Sequence, residues 1–197
     1  MNLDGVIQLD QQATLWLNNL GNSSWDSFWL MLSDTKFWFP AYGIIMACLL
    51  WKLGWKKGLA AVLSLVLTVV LIDQSANWVK DGVERLRPCY NSWMIAHGLR
   101  LPFGLTGHHF GFFSAHAANT FGFATVSWLG FRLNNPEHYS YKAYGIGVYL
   151  WATLVSASRI MMAAHFLGDV LVGTLYGLAI GTALACLTHW VILKAKL

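Results

Sequence analysis

Five long apolar stretches, at about 37–53, 58–79, 112–131, 143–157 and 166–193, constrain this chain more than any other feature. Each approaches or exceeds the roughly 20 residues that an α-helix needs to cross the hydrocarbon core of a bilayer. Only helices and closed barrels satisfy their backbone hydrogen bonds in lipid, and runs of this length and continuity read as helices. With 56% hydrophobic and 11% charged residues, the composition lies far from that of a soluble domain. The expected fold is therefore all-α: an integral membrane helical bundle of five to six transmembrane helices, forming a single domain over residues 1–197. Residues 1–35 interleave apolar positions with Gln, Asn and Asp and read as amphipathic segments lying in the interface. The N-terminus carries Asp4 and Asp10 instead of a basic leader and a small-residue cleavage site, so no removable signal peptide is expected. Most of the eleven tryptophans fall near predicted span ends, as in an aromatic belt.

Charge sets the orientation. Lys52, Lys56 and Lys57 lie between the first two spans, Arg132 and Lys142 flank the third connection, and Lys194 and Lys196 follow the last span. Glu137 is the one acid among them. For an odd number of spans these places share a side, which the positive-inside rule makes cytoplasmic. The N-terminal segment, the connection 80–111 and the short connection 158–165 then face the other side. The 80–111 connection is long for a compact bundle and apolar for a disordered linker, so it is expected to form a lid or flap over an extracytoplasmic site. Cys48, Cys89 and Cys186 have no metal-ligand spacing, and two fall in spans, so neither a metal site nor a disulfide framework is expected. The net charge of +4 comes with no aromatic-basic surface, which argues against nucleic acid as a partner.

Three clusters of ionisable residues interrupt the apolar pattern, and all fall on that outer side: Lys80-x6-Arg87-Pro88, Ser114-Ala115-His116, and Ser158-Arg159-x5-His165-x3-Asp169. Ionisable groups beside spans are expensive and are functional candidates by default. His165 and Asp169, four apart, share a helix face. A carboxylate on one ring nitrogen leaves the other as base or nucleophile, although His-x3-Asp also occurs as a plain helix start. Arg159 offers a planar fork suited to phosphate oxygens. Lys80 and Arg87 would add positive charge, while each basic residue taken alone could instead snorkel to headgroups. Ser114, Ala115 and His116 stand where a helix begins, which suits an anion cradle. Asp73, Asn77 and Lys80 form a stripe in which Asp73 and Asn77 would support Lys80, and Asn119 lies on the face of His116, placed either to position that ring or to make an interhelical contact. Glu84 and Arg85 read as a local surface pair, and His97, His108 and His109 as loop histidines.

In order and spacing the three clusters resemble the signature of the type 2 phosphatidic-acid phosphatase superfamily, which also includes vanadium haloperoxidases. That signature is Lys-x6-Arg-Pro, Pro-Ser-Gly-His and Ser-Arg-x5-His-x3-Asp. The first and third elements match at every specified position; the second has Phe113 for proline and Ala115 for glycine. The resemblance implies a phosphatase that needs no metal or other cofactor. In it His165 attacks phosphorus, Asp169 orients the ring and His116 protonates the leaving oxygen, while Lys80, Arg87, Ser114, Ala115 and Arg159 bind the phosphate. It further implies a multi-pass protein of the bacterial inner membrane, with a membrane lipid phosphate as substrate and the bilayer as environment. Size and family frequency favour undecaprenyl diphosphate. The alternatives are lipid A or phosphatidylglycerol phosphate as substrate, transfer of phosphate between lipids, or, from another class, a non-enzymatic transporter or scaffold. Oligomeric state is not encoded in these features.

Overall fold

The computed structural model describes residues 3–104, 107–135 and 141–196. Glu137, used above for orientation, lies outside them. The fold is an all-α membrane bundle. Each apolar stretch becomes one helix: α3 (Phe39–Leu53), α4 (Trp55–Val83), α6 (Ala115–Asn134), α7 (Lys142–Met161) and α8 (Leu167–Lys194). They are preceded by α1 (Leu3–Asn19) and α2 (Asp26–Ser33), and a short α5 (Ser92–Ala96) lies in the connection after α4.

Among the described helices, α4 and α8 are the two that are long and apolar enough to span a membrane by length and composition alone, against the five read from the sequence. The other three fall short for physical reasons. α3 has 15 residues, about 22 Å of helix. α6 is the central helix, packed against α3, α4, α7 and α8; shielded from lipid, it can carry Thr120, Thr125 and Ser127 buried against its neighbours. α7 carries the half-buried Tyr144, whose hydroxyl donates to Ser127. Toward lipid the bundle turns Leu63, Val66, Val70, Ile146, Leu150, Leu171 and Leu175, all exposed. Trp51, Trp55 and Trp190 ring one end and Trp16, Trp25 and Trp78 the other, consistent with interfacial belts.

The tightest contact is between α6 and α8, which run parallel. Gly173, Gly177 and Gly181 form a stripe of small residues one turn apart on α8 and meet the backbone carbonyls of Ser114, Ala118 and Gly122 on α6. In lipid, helices associate through such close backbone approach, because apolar burial gives no driving force there. The parallel register brings the N-termini of α6 and α8 side by side. That is how residues 114–116 and 165–169, far apart in sequence, come to share one corner.

The connection after α4 begins later than expected. α4 continues to Val83 and ends at Glu84, which takes a left-handed conformation (φ 50°). Nor does this connection hang as a free flap. Its base is pinned where the Arg87 N–H donates to the His109 carbonyl and the Gly111 N–H to the Arg85 carbonyl. Its middle buries Cys89, Met94 and Leu99 against Ala163 and Phe166 of the α7–α8 turn.

Candidate active site

A cavity of about 530 Å³ opens at this corner, lined at one end by Lys80, Arg87, Ala115, His116, Arg159 and His165. The α7–α8 turn that carries His165 is fixed by backbone bonds: the Ala164 and His165 N–H groups both donate to the Arg159 carbonyl, and Cys89 N–H to the Ala163 carbonyl. His165 is 2% and Asp169 0% exposed. Asp169 Oδ2 accepts from the Phe166 N–H at 3.0 Å and lies 3.6 Å from His165 Nδ1. That is beyond hydrogen-bond reach, and catalytic hydrogen bonds are often this long before substrate arrives. Burial, then the charges of Arg159, Arg87 and Lys80, hold the His165 imidazole well below its usual pKa, with the nearby Gly111 backbone opposing in part. The ring is therefore neutral at pH 7, with a lone pair free for nucleophilic attack.

The remaining candidates separate into those that reach the cavity and those that do not. Arg87 is 8% exposed, and its Nε donates to the Phe110 carbonyl. Arg159 Nη1 donates to the Ser33 hydroxyl, and the Thr35 hydroxyl lies 3.3 Å from His116 Nε2. The end of α2 and the turn that follows it thus contribute two hydroxyls that no motif announced. Ser114 is fully buried: its hydroxyl caps α6 by accepting from Ala117 N–H, and its own N–H donates to the Asp169 carbonyl. It does not line the cavity, and neither does Asn77, which is exposed. Asp73 and Asn119 do, but they are bonded to each other (Asn119 Nδ2 to Asp73 Oδ1, 2.7 Å), so Asn119 does not hold His116. His97 stacks on Trp93 and the His109 ring lies tilted against Tyr90, and neither histidine lines the cavity.

Arg85 corrects the sequence reading most. Instead of a local surface partner for Glu84, it donates 2.5 Å to Asp169 Oδ1 and 2.6 Å to Asp10 Oδ2, with its guanidinium over the Phe166 ring. A second arginine two residues before the Arg-Pro pair was the available signal.

Away from the charged end, the cavity wall is apolar, built by Phe39, Tyr42 and Met46 of α3 and Leu65, Val66, Val69 and Val70 of α4. Val66 and Val70 are about half exposed, so the cavity is not sealed by neighbouring helices along this apolar wall.

A membrane bundle with a neutral histidine among fixed cations, beside an unsealed apolar wall, defines a class: membrane enzymes that cleave phosphate esters. The family model described as PAP2 superfamily matches residues 55–193, and the chain belongs to that family; it is a membrane lipid phosphatase of the PAP2 type. It is 32% identical over 176 residues to a lipid A 4'-phosphatase of Bacteroides thetaiotaomicron, spanning 89% of this chain and 75% of that protein. It is 26% identical over 180 residues to a lipid A 4'-phosphatase of Porphyromonas gingivalis, spanning 91% and 72%. The fold is shared with the PAP2 type phosphatidylglycerolphosphate phosphatase from Bacillus subtilis (TM-score 0.68, 20% identity, 98% of this chain and 89% of that one). It is also shared with Aquifex aeolicus LpxE (TM-score 0.61, 22% identity, 88% and 92%).

Proposed function

We propose that this protein removes a phosphate monoester from the sugar headgroup of lipid A, working at the outer face of the bacterial inner membrane. The substrate assignment rests on the similarity to two lipid A 4'-phosphatases over most of the chain. Both favour this alternative over undecaprenyl diphosphate, the substrate expected from size and family frequency. The single structural observation that carries the reading is the two-ended cavity. Its charged end suits a phosphate, and its apolar wall, unsealed by neighbouring helices, suits the acyl chains of a substrate that never leaves the membrane. The seven basic residues at the opposite end of the bundle support an outward-facing site.

In the proposed mechanism His165 Nε2 attacks phosphorus. The N–P bond forms as the P–O bond to the sugar breaks, and His116, made an imidazolium by the proton it takes up as the phosphate dianion binds beside it, gives that proton to the departing oxygen. Water then attacks the phosphohistidine, giving a proton to His116 and releasing inorganic phosphate and neutral His165. Lys80, Arg87 and Arg159 hold the non-bridging oxygens, where charge stabilisation supplies most of the rate in phosphoryl transfer. Ser114 and Ala115 contribute through the start of α6, Ser114 by capping it and Ala115 by its place in the cavity wall. Asp169 orients His165.

The test is phosphate release by the purified protein from lipid A, undecaprenyl diphosphate, phosphatidylglycerol phosphate and phosphatidic acid, with His165→Ala as blank. Lipid A is expected to be cleaved fastest, losing its 4'-phosphate by mass spectrometry. Preference for the diphosphate would restore the first expectation, and full activity in His165→Ala would remove the mechanism.

A further inference from the structure

α1 turns a polar stripe inward, beside Leu15 and Leu17, which pack against the core. Asp10, Thr14 and Asn18, four apart, make one polar stripe along it, and Thr14 and Asn18 are fully buried. Leu9 and Trp16, on another face, are 59% and 64% exposed. A helix free on a membrane surface would point its polar stripe at water; here every member of the stripe grips the corner that holds His165. Asn18 Nδ2 donates to the Ile160 and Met161 carbonyls, and its Oδ1 accepts from Arg100 N–H. Thr14 Oγ1 accepts from Leu167 N–H at 2.8 Å, and Asp10 Oδ1 from Gly168 N–H at 2.7 Å. These are first-turn donors of α8, which has no capping side chain of its own at Phe166.

Asp10 does more than cap. Its other oxygen takes Arg85 Nη2, while Arg85 Nη1 holds Asp169. Without Asp10, Arg85 and Asp169 would form a neutral pair, and His165 would face uncompensated cations. The charged and titratable groups around His165 come from every neighbouring element: Lys80 of α4, Arg85 and Arg87 of the following loop, His116 of α6, Arg159 of α7 and Asp169 of α8. We propose that Asp10, acting through Arg85 and the Gly168 amide, is a positioning residue of the phosphatase, restoring net negative charge to Asp169 and fixing the start of α8 so that phosphohistidine formation at His165 is favoured. The inference rests on the roles proposed for His165 and Asp169.

Asp10→Asn is close to isosteric and keeps an oxygen for the Gly168 amide while losing the charge. In the full-length protein in detergent, with lipid A and phosphatidic acid as substrates, kcat should fall about tenfold, a typical effect for a group one step behind a reacting side chain, with KM within twofold. The acid limb of kcat/KM should move to lower pH, because removing a negative charge disfavours the protonated imidazole. Thr14→Val loosens the same helix without changing charge; it should lower the melting temperature and leave the acid limb in place. Wild-type kcat in Asp10→Asn, or equal losses in both variants with an unmoved limb, would overturn the proposal. With His165→Ala inactive, such a result removes the Asp10 assignment alone; activity in His165→Ala removes the histidine mechanism and this inference with it.

Discussion

Gly177→Ala, one methyl group added in the middle of α8, is expected to disable the enzyme from two turns away. A Cβ at Gly177 would stand 2.2 Å from the Ala118 carbonyl oxygen and 2.9 Å from its carbon and Cα. Carbon and oxygen approach to about 3.3 Å without penalty, and the obstruction is backbone, which cannot rotate away. The two helices must therefore part by about 1 Å. Overpacking of this kind costs about 1–3 kcal/mol, set against a gain of up to about 1 kcal/mol in helix propensity for replacing glycine by alanine. The larger consequence is geometric. The same seam continues to Gly173 against the Ser114 carbonyl and to the Ser114 N–H bond with the Asp169 carbonyl, so its opening separates His116 from His165. A displacement of about 1 Å at reacting groups can cost 10²-fold in rate. Thermal unfolding in micelles and phosphate release should show a modest loss of melting temperature with a loss of kcat of about that size. Gly43→Ala on α3, where nothing lies within 4 Å of the new methyl, should keep full activity and equal or higher stability. A Gly177→Ala protein matching wild type in both assays would refute the close-packed seam as the device that aligns the site.

Further outcomes are expected. Since His165 is neutral and its pKa lies well below the usual value in the folded protein, the unfolded chain binds the extra proton first as pH falls below about 6.5. Stability should therefore drop from pH 7 to pH 5 and rise again with pH, one proton contributing up to about 1.4 kcal/mol per pH unit. His165→Gln should flatten the melting temperature against pH, and an undiminished slope counts against a buried neutral imidazole. Arg159→Lys keeps the charge but loses the fork that also holds Ser33; kcat/KM should fall about 10²-fold, as for loss of one oriented donor in a transition-state site, and an unaltered value would show that charge alone suffices. In spheroplasts of a strain carrying no other reactive cysteine on this protein, an impermeant thiol reagent should label His97→Cys and spare Lys57→Cys; the reverse pattern would invert the proposed orientation.

What the sequence made legible and what it concealed differ in kind. The bundle and its five long helices were readable because lipid imposes one rule on every span, whereas α4 runs past the expected limit of 79 to Val83. Lys80, Arg87, His116, Arg159 and His165 were readable because charge is costly beside apolar runs, and the structure brings all five to one cavity end. Arg85 was misread because pairing with its neighbour Glu84 is the default for adjacent charges; only the fold puts it against Asp169. For Asn119 the sequence leaves open a role beside His116 or an interhelical contact, and the structure shows the second. Helical spacing from His116 identifies its face but not that Asp73 of α4 is waiting across the gap. The hydroxyls of Ser33, which ends α2, and of Thr35, in the turn after it, left no pattern at all, since two short polar side chains in an interfacial segment are ordinary.

The polar stripe of α1 emerges only from the fold, because amphipathic spacing does not say which face turns inward. A soluble protein buries apolar side chains and exposes polar ones; in a bilayer the outside is already apolar, so polar residues lose nothing by turning inward if partners wait there. Asp10, Thr14 and Asn18 find such partners in amides and carbonyls freed where α7 ends and α8 begins. Those groups are unsatisfied because the turn between the helices must be short enough to carry Arg159 and His165 into the same cavity. The need for a tight turn thus creates the sites that α1 fills. The N-terminal helix is accordingly bound to the corner by hydrogen bonds from its polar stripe.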